Sequence, residues 1–437
     1  MKEVEKKGRF LDLLPLIVFL ALFLGTGLYL HFQGVDYAFY KLPSPVAALV
    51  GVVVAFLISK SSIEEKMNQF IRGAGNSNII IMCMIYLFAG AFAHLADKTG
   101  GVDATVNLGL SLIPSSLIMP GLFLISAFIA TAMGTSMGTI SAVAPIAIGM
   151  ASKSGISLAL TIGAVVGGAM FGDNLSMISD TTIAATKTQG CSMKDKFKAN
   201  LLLVLPAAIL TLIILVFIGG DVVIDGEFTY SLINVVPYLL VLTLALLGVN
   251  VFVVLGIGIL FTGVLGLVSG GFTLLEIANL IYEGFTGMQE IFLLSLFTGG
   301  LAEMIRVEGG INYLLNLISK KINTKRGAEL GILSLVSVAD ICTANNTVAI
   351  ILAGPLAKDI AAKHNVPKAT SASLLDIFSC VWQGVIPYGA QVLLAGSLAK
   401  ISPLEIIPTL YYQFILGIFV IGLILLNKAD KFRLSEK

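Results

Sequence analysis

ISLALTIGAVVGGAMFGDNLSMISDTT (156–182) opens with sixteen uncharged, mostly apolar residues. It closes on an island, GDNLSMISDTT (172–182), that holds two carboxylates, an amide, two serines and two threonines. The first part has the character of a helix in lipid, and the second is too polar to continue it. An ionisable side chain at the centre of a bilayer costs about 2.5–3.5 kcal/mol on insertion scales. Such groups persist there when they bind or move something, so the segment reads as a membrane helix broken at a functional site.

Composition extends that reading to the whole chain. The 437 residues are 57% hydrophobic and 12% charged, and the mean hydropathy is +0.96. Apolar runs that recur at nearly span length exclude an ordinary soluble domain. A net charge of +1 suggests no nucleic-acid partner. Cys83, Cys191, Cys342 and Cys380 are scattered without metal-ligand spacing, and Cys83 reads as a small buried residue of a span. The polar, basic start lacks a small-residue cleavage site before its apolar run, so it reads as a retained first span.

Full spans are expected near 11–31, 44–59, 78–95, 156–190, 199–218, 232–247, 250–269, 289–305, 369–398 and 403–426. Those at 156–190 and 369–398 are too polar in their second halves to be continuous. Two apolar pairs, 117–131 with 139–152 and 329–341 with 347–359, have arms of about fourteen residues against the roughly twenty of a span. They read as re-entrant hairpins, which are tolerated only where protein or water shields them. With ten spans and a cytoplasmic N-terminus, 23 of the 27 Lys and Arg fall inside, leaving Lys41, Lys98, Lys153 and Lys400 outside with the acidic 219–231 loop (Asp221, Asp225, Glu227).

The halves resemble each other. FAGAFAHLADKTGG (88–101) aligns with FTGGLAEMIRVEGG (297–310) at an offset of 209, and APIAIGMASKSGISLA (144–159) aligns with GPLAKDIAAKHNVPKA (354–369) at 210. Five spans per half is an odd number, so the halves face opposite ways. The expected fold is an all-α polytopic membrane protein of two inverted repeats, 1–220 and 221–437. Its ten spans, two of them broken, accompany the two hairpins in one transport domain. Inverted repeats with broken helices place a site at mid-depth, as in secondary transporters. Amphipathic pieces at 63–73, 106–113, 272–285 and 311–321 read as interfacial connections or as arms between a fixed and a moving part.

Four polar elements then meet. The first hairpin tip carries Thr135, Ser136 and Thr139; the second carries Asp340, Thr343, Asn345, Asn346 and Thr347. The first broken helix supplies Asp173, Asn174, Ser176, Ser179, Asp180, Thr181 and Thr182, and the second supplies Gln383, Tyr388 and Gln391. In the repeat alignment Asp173 falls opposite Gln383 and Asp180 opposite Ala390, so the acidic side lies in the first half. Breaks expose carbonyls at one half-helix end and amides at the other. Carbonyls, hydroxyls and one carboxylate suit a hard cation such as sodium, and half-helix N-termini suit an anionic group. Gly134, Gly138, Gly172 and Pro387 permit the breaks. No soft ligands cluster there, so sodium is the metal expected.

Each carboxylate has a plainer reading too. Asp173 and Asp180, seven residues apart, read as cation and proton groups or as helix caps. Asp340 reads as a cap for the ANNT arm or as a site group. Asp376, in LLDIFS, has no visible structural job and reads as functional. His94 and Glu303, equivalent in the repeat, read as interface anchors. Trp382 and Tyr388 either wall a cavity or pack.

GDNLSMISDTT followed by a basic loop resembles the signature of NhaC-type Na+/H+ antiporters, a branch of the ion transporter superfamily. The inverted repeat, hairpins and ANNT tip are similar to that superfamily, which includes sodium-coupled dicarboxylate carriers. The resemblance implies that Asp173, Ser176, Ser179, Asp180, Thr181 and Thr182 line the cation site. The sequence departs from the antiporter pattern at Asn174, where a lysine is common, and at Met177, where a proline is. A subgroup of shorter relatives resembles amino-acid carriers, histidine being one proposed cargo.

Two functions stay open. One is Na+/H+ antiport by alternating access, with Asp173 and Asp180 exchanging sodium and protons. The other is Na+- or H+-coupled symport of a small amino acid, favoured by the second-half amides. An enzyme is not expected: AMFGD lacks the GxGD of membrane aspartyl proteases, and neither HExxH nor a suitable Ser/His pair occurs. A carrier fits the layout better than a channel. No cofactor is expected beyond Na+ and H+ as transported or coupling ions. The expected setting is a prokaryotic cytoplasmic membrane with both termini inside, and a homodimer is an assembly the resemblance allows.

Overall fold

A computed structural model describes residues 8–35, 38, 41–112, 114–219, 229–320 and 322–426. The acidic loop residues Asp221, Asp225 and Glu227 and most of both basic tails lie outside these, so the expected placement of the termini does too. The described residues form helices and connections, with no strand among them.

The first half runs α1 (Leu14–Phe32), α2 (Ser44–Ile58), α3 (Ile63–Ala74), α4 (Ser77–Lys98) and α5 (Gly101–Leu112). It continues with α6 (Ile118–Met133), α7 (Ser136–Ser154), α8 (Leu158–Leu175), α9 (Asp180–Gln189) and α10 (Met193–Gly219). The second half runs α11 (Leu232–Leu246), α12 (Val251–Val268), α13 (Leu274–Gly287), α14 (Gln289–Glu308) and α15 (Gly310–Ser319). Then follow α16 (Lys325–Thr343), α17 (Asn346–Lys363), α18 (Lys368–Val385), α19 (Ala390–Ala399), the short α20 (Pro403–Ile406) and α21 (Tyr411–Leu425).

Local chemistry sets many of these limits. Ser62 and Asn76 accept backbone N–H bonds at the starts of α3 and α4, and Thr273 and Glu276 form a capping box on α13. Gly155 and Gly190 end α7 and α9 in the left-handed conformation.

Among the described residues six segments are long and apolar enough to cross a membrane, including 158–189 and 368–399 with their breaks, and a bent pair at 403–425 makes a seventh. α2, α6 and α11 are apolar but only 15 or 16 residues long. Length and apolarity alone thus support fewer spans than the ten expected from sequence. Two expectations are corrected. The hairpin arms α6, α7, α16 and α17 have 16, 19, 19 and 18 residues, longer than the fourteen inferred, because their polar ends continue the helices. The segment 403–426 is not continuous: it bends by 53° around Leu410. All four amphipathic pieces are helices: α3, α5, α13 and α15.

Packing between the halves is reciprocal. α3 lies on α14, and α13 lies on α4. Both crossings are made by glycines. A Cβ on Gly73 would run into the Gly299 and Gly300 backbone, and one on Gly284 would stand 2.6 Å from both Ala91 Cα and Gly90 O. Close backbone approach of this kind holds helices together where lipid removes the hydrophobic drive. At the α4–α14 contact the Cys83 thiol donates to Phe292 O (3.7 Å) and Ser295 Oγ meets Tyr86 Oη (3.5 Å). Both pairs are 209 residues apart, the offset of the first sequence alignment.

Gly284→Val should therefore cost about 1–3 kcal/mol through overpacking. Gly121→Ala, whose Cβ meets nothing within 4 Å, should be neutral. Thermal unfolding of the two purified variants checks the contrast.

Candidate functional site

In an unbroken helix each carbonyl accepts from the amide four residues on. The chain leaves helical geometry at Ser176 and resumes it at Asp180, so freed carbonyls need other donors. Ser179 Oγ donates to Asp173 O at 3.2 Å. Asn174 O accepts from Lys196 Nζ at 3.0 Å and from Asn200 Nδ2 at 2.7 Å. Thr182 Oγ1 donates to Ser176 O at 2.8 Å, and Ser179 Oγ in turn caps α9 by accepting from Thr182 N at 3.2 Å. The island's hydroxyls, together with Lys196 and Asn200 of α10, thus replace the missing helical bonds.

The other interruptions use the same chemistry. Gly134, at φ +72°, ends α6 and Thr135 caps α7. Ala344, left-handed at φ 51°, ends α16, and Asn345 caps α17 by accepting from Val348 N at 3.0 Å. Residues 386–389, with Pro387, separate α18 from α19, whose N-cap is Gly389 and which has no side-chain cap. Gly138 and Gly172, expected to permit the breaks, are helical instead. Gly172 serves close packing, since its Cβ would lie 2.7 Å from Ala127 O of α6.

Four helix N-termini, those of α7, α9, α17 and α19, converge on one cavity of about 540 Å³ including its open mouth. The residues expected from sequence that line it are Thr135, Ser136, Asp173, Ser179, Asp180, Thr181, Asn345, Asn346, Thr347, Gln383 and Gln391. All four polar elements are represented, and Asp173 and Gln383, opposite each other in the repeat alignment, share the space. Asp173 is 5% exposed whereas Asp180 is open to solvent. The Ser136 hydroxyl and backbone amide face the Asp173 carboxylate, and Gln391 Nε2 donates to Ser136 Oγ at 3.1 Å. Ser136 therefore connects a hairpin tip, the first break and the second broken helix. Carboxylate and hydroxyl oxygens of this kind suit a hard monovalent cation.

The remaining expected residues stand behind the cavity. Thr139 donates to Thr135 O, Asn174 Nδ2 donates to Tyr412 Oη at 3.0 Å, and Ser176 and Thr182 close the break. Thr343 lines a second space of about 340 Å³ with Glu303 and Arg306, and Asn345 borders both. Tyr388 does not wall the cavity. Its hydroxyl donates to Ile341 O at 2.7 Å and its ring meets Phe19 edge-on. Asp340 is no cap, because Asn345 holds that position; its two oxygens are buried without a hydrogen-bond partner among the described residues. Glu303 pairs with Arg306 at 2.7 Å and His94 with Glu283 at 3.0 Å.

Asp376 does have a structural partner. Its Oδ2 meets Lys196 Nζ at 2.8 Å and Asn200 Nδ2 at 2.8 Å, and the ion pair is 1% and 0% exposed. Sequence reading placed Lys196 in a basic cytoplasmic loop; it is buried in the first turn of α10. The pattern KDKFK (194–198) carries no signal that its middle lysine points inward. The cavity wall contributed by α4 (Asn78, Ile81, Met82 and Ile85) was also missed. Its i, i+3, i+4, i+7 spacing is visible in hindsight, but one amide among apolar residues looks like ordinary span sequence.

The profile of the Na+/H+ antiporter family matches residues 9–220 and 228–428. The chain belongs to this family. Among its relatives, the Na(+)/H(+) antiporter NhaC of Bacillus subtilis is 26% identical over 85% of this chain and 88% of its own. NhaC of Alkalihalophilus pseudofirmus is 25% identical over 72% and 76%. The malate-2H(+)/Na(+)-lactate antiporter of Bacillus subtilis is 22% identical over 96% and 95%. These relatives are transporters.

Asn345 offers a test of how the cavity is built. Asn345→Ala removes the cap of α17 and should cost about 0.5–2 kcal/mol, whereas Asn345→Ser, an equally good and uncharged cap, should cost far less. Unfolding temperatures of both variants decide it.

Proposed function

We propose that this protein is a secondary active Na+/H+ antiporter of a prokaryotic cytoplasmic membrane, working by alternating access. The observation that carries the reading is the cavity itself. Two carboxylates, one buried and one open, share it with the hydroxyls of a hairpin tip and a helix break. A carboxylate buried without a counter-ion is costly, so Asp173 keeps either a proton or a cation as it crosses between states. The two ligands exclude each other at one group, and that exclusion is the physical basis of exchange. Asp180, at the mouth, supplies the second charge for sodium.

The proposed architecture is two inverted repeats, 1–220 and 221–437, with both termini cytoplasmic, lipid around the bundle and a homodimer as the assembly. The reciprocal α3–α14 and α13–α4 crossings and the pairs 209 residues apart support the repeat. In this reading the tips and broken helices move against α4 and α14, carrying their cavity-lining groups past the wall that α4 supplies. Na+ and H+ are cargo, and no other cofactor is proposed.

A second reading is sodium- or proton-coupled carriage of a small carboxylate-bearing solute such as an amino acid. It draws on the amides of Asn345, Asn346, Gln383 and Gln391 around four helix N-termini. One relative is a malate-2H(+)/Na(+)-lactate antiporter, and malate and lactate are organic acids.

One proteoliposome experiment separates the readings. Sodium should collapse an imposed pH gradient in vesicles holding the protein, and Asp173→Asn or Asp180→Asn should reduce this to the protein-free background. Labelled amino acids should not accumulate. Sodium-dependent accumulation with no effect on the gradient would favour the second reading, and a folded Asp173→Asn protein with full exchange would remove that residue from the site.

A further inference from the structure

Lys196 reaches the first break from behind. Its three ammonium protons have three acceptors: Asn174 O at 3.0 Å, Thr182 Oγ1 at 2.7 Å and Asp376 Oδ2 at 2.8 Å. The set is one carbonyl, one hydroxyl and one carboxylate, the mixture with which a broken transmembrane helix coordinates a hard monovalent ion. Thr182 commits its own proton to Ser176 O, which leaves a lone pair for the ammonium. Asn200, one turn further along α10, donates to both Asn174 O and Asp376 Oδ2, fixing the two ligands against each other. None of these five residues lines the cavity that holds Asp173 and Asp180.

We propose that Lys196 is a built-in cation. Its ammonium fills a monovalent-cation site created by the break, separate from the transport cavity, and ties the end of α8, the start of α9 and α18 of the other half into one body. The neighbouring residues Asp173 and Asn174 divide the two jobs, with the Asp173 side chain facing the cavity and the Asn174 carbonyl facing the lysine. Lys196 is thus a positioning residue. Its consequence for transport rests on the antiport reading, but the site itself does not.

The test uses the full-length protein and needs no transport. Lys196→Ala leaves the three oxygens in place and opens room for a small free amine. The unfolding temperature is followed while ethylammonium chloride replaces choline chloride at constant ionic strength. Lys196→Ala should unfold well below the parent and recover most of the loss saturably with ethylammonium. The parent and Lys196→Ala/Asp376→Asn should not respond. A flat response in Lys196→Ala, or an equal one in the parent, overturns the proposal. Asp376→Ala keeps the question decidable if Lys196→Ala does not fold. With the anionic ligand gone, formate should raise its unfolding temperature and chloride should not, and no effect of formate would overturn the proposal.

Discussion

A helix interrupted inside lipid must satisfy, from within the protein, every backbone group that the interruption frees. Nearly everything distinctive about this chain follows from that constraint. At the first break the freed carbonyls of Asp173, Asn174 and Ser176 go to Ser179, to Lys196 with Asn200, and to Thr182. Each donor side chain is polar and nearly all are buried, so each in turn needs its own partners. The requirement spreads outward from the backbone until it reaches α18 through Asp376 and α21 through Tyr412.

The same constraint divides the polar groups into two sets with different duties. One set repairs the backbone: Ser179, Thr182, Lys196, Asn200 and the caps at Thr135 and Asn345. The other faces the cavity: Asp173, Asp180, Thr181, Asn346, Thr347 and Gln391. Thr135, Ser179 and Asn345 line the cavity as well, and Gln383 also belongs to both sets, since it lines the cavity while its Nε2 donates to Ala344 O at 3.0 Å. The carboxylates can keep their charge for a passing cation because other residues have already satisfied the break.

Much of this was legible beforehand because interruption has a local signature. Apolar runs that stop on clustered Ser, Thr, Asn and Asp mark the tips and breaks, and these elements do meet. What stayed hidden depends on direction. Lys196 and its neighbours Lys194 and Lys198 look alike in sequence, yet Lys196 is buried and Lys194 is exposed. Asp376 looked functional because its partner lies 180 residues away. The wall from α4 looks like any span, whereas the bend near Leu410 does follow a local signal, Pro408 and Thr409, that the surrounding apolar run outweighs.

The sequence by itself determined the membrane class, the places where helices end inside the bundle and the oxygen-rich chemistry gathered there. Those properties are written in hydropathy and residue type, which act over a few neighbouring positions. Only the tertiary structure decided which carboxylate opens to the cavity and which is sealed by a lysine. That choice depends on which helix faces come together. In a bundle whose helices cross at glycines, small shifts of rotation and register reassign every partner, and no local pattern encodes them.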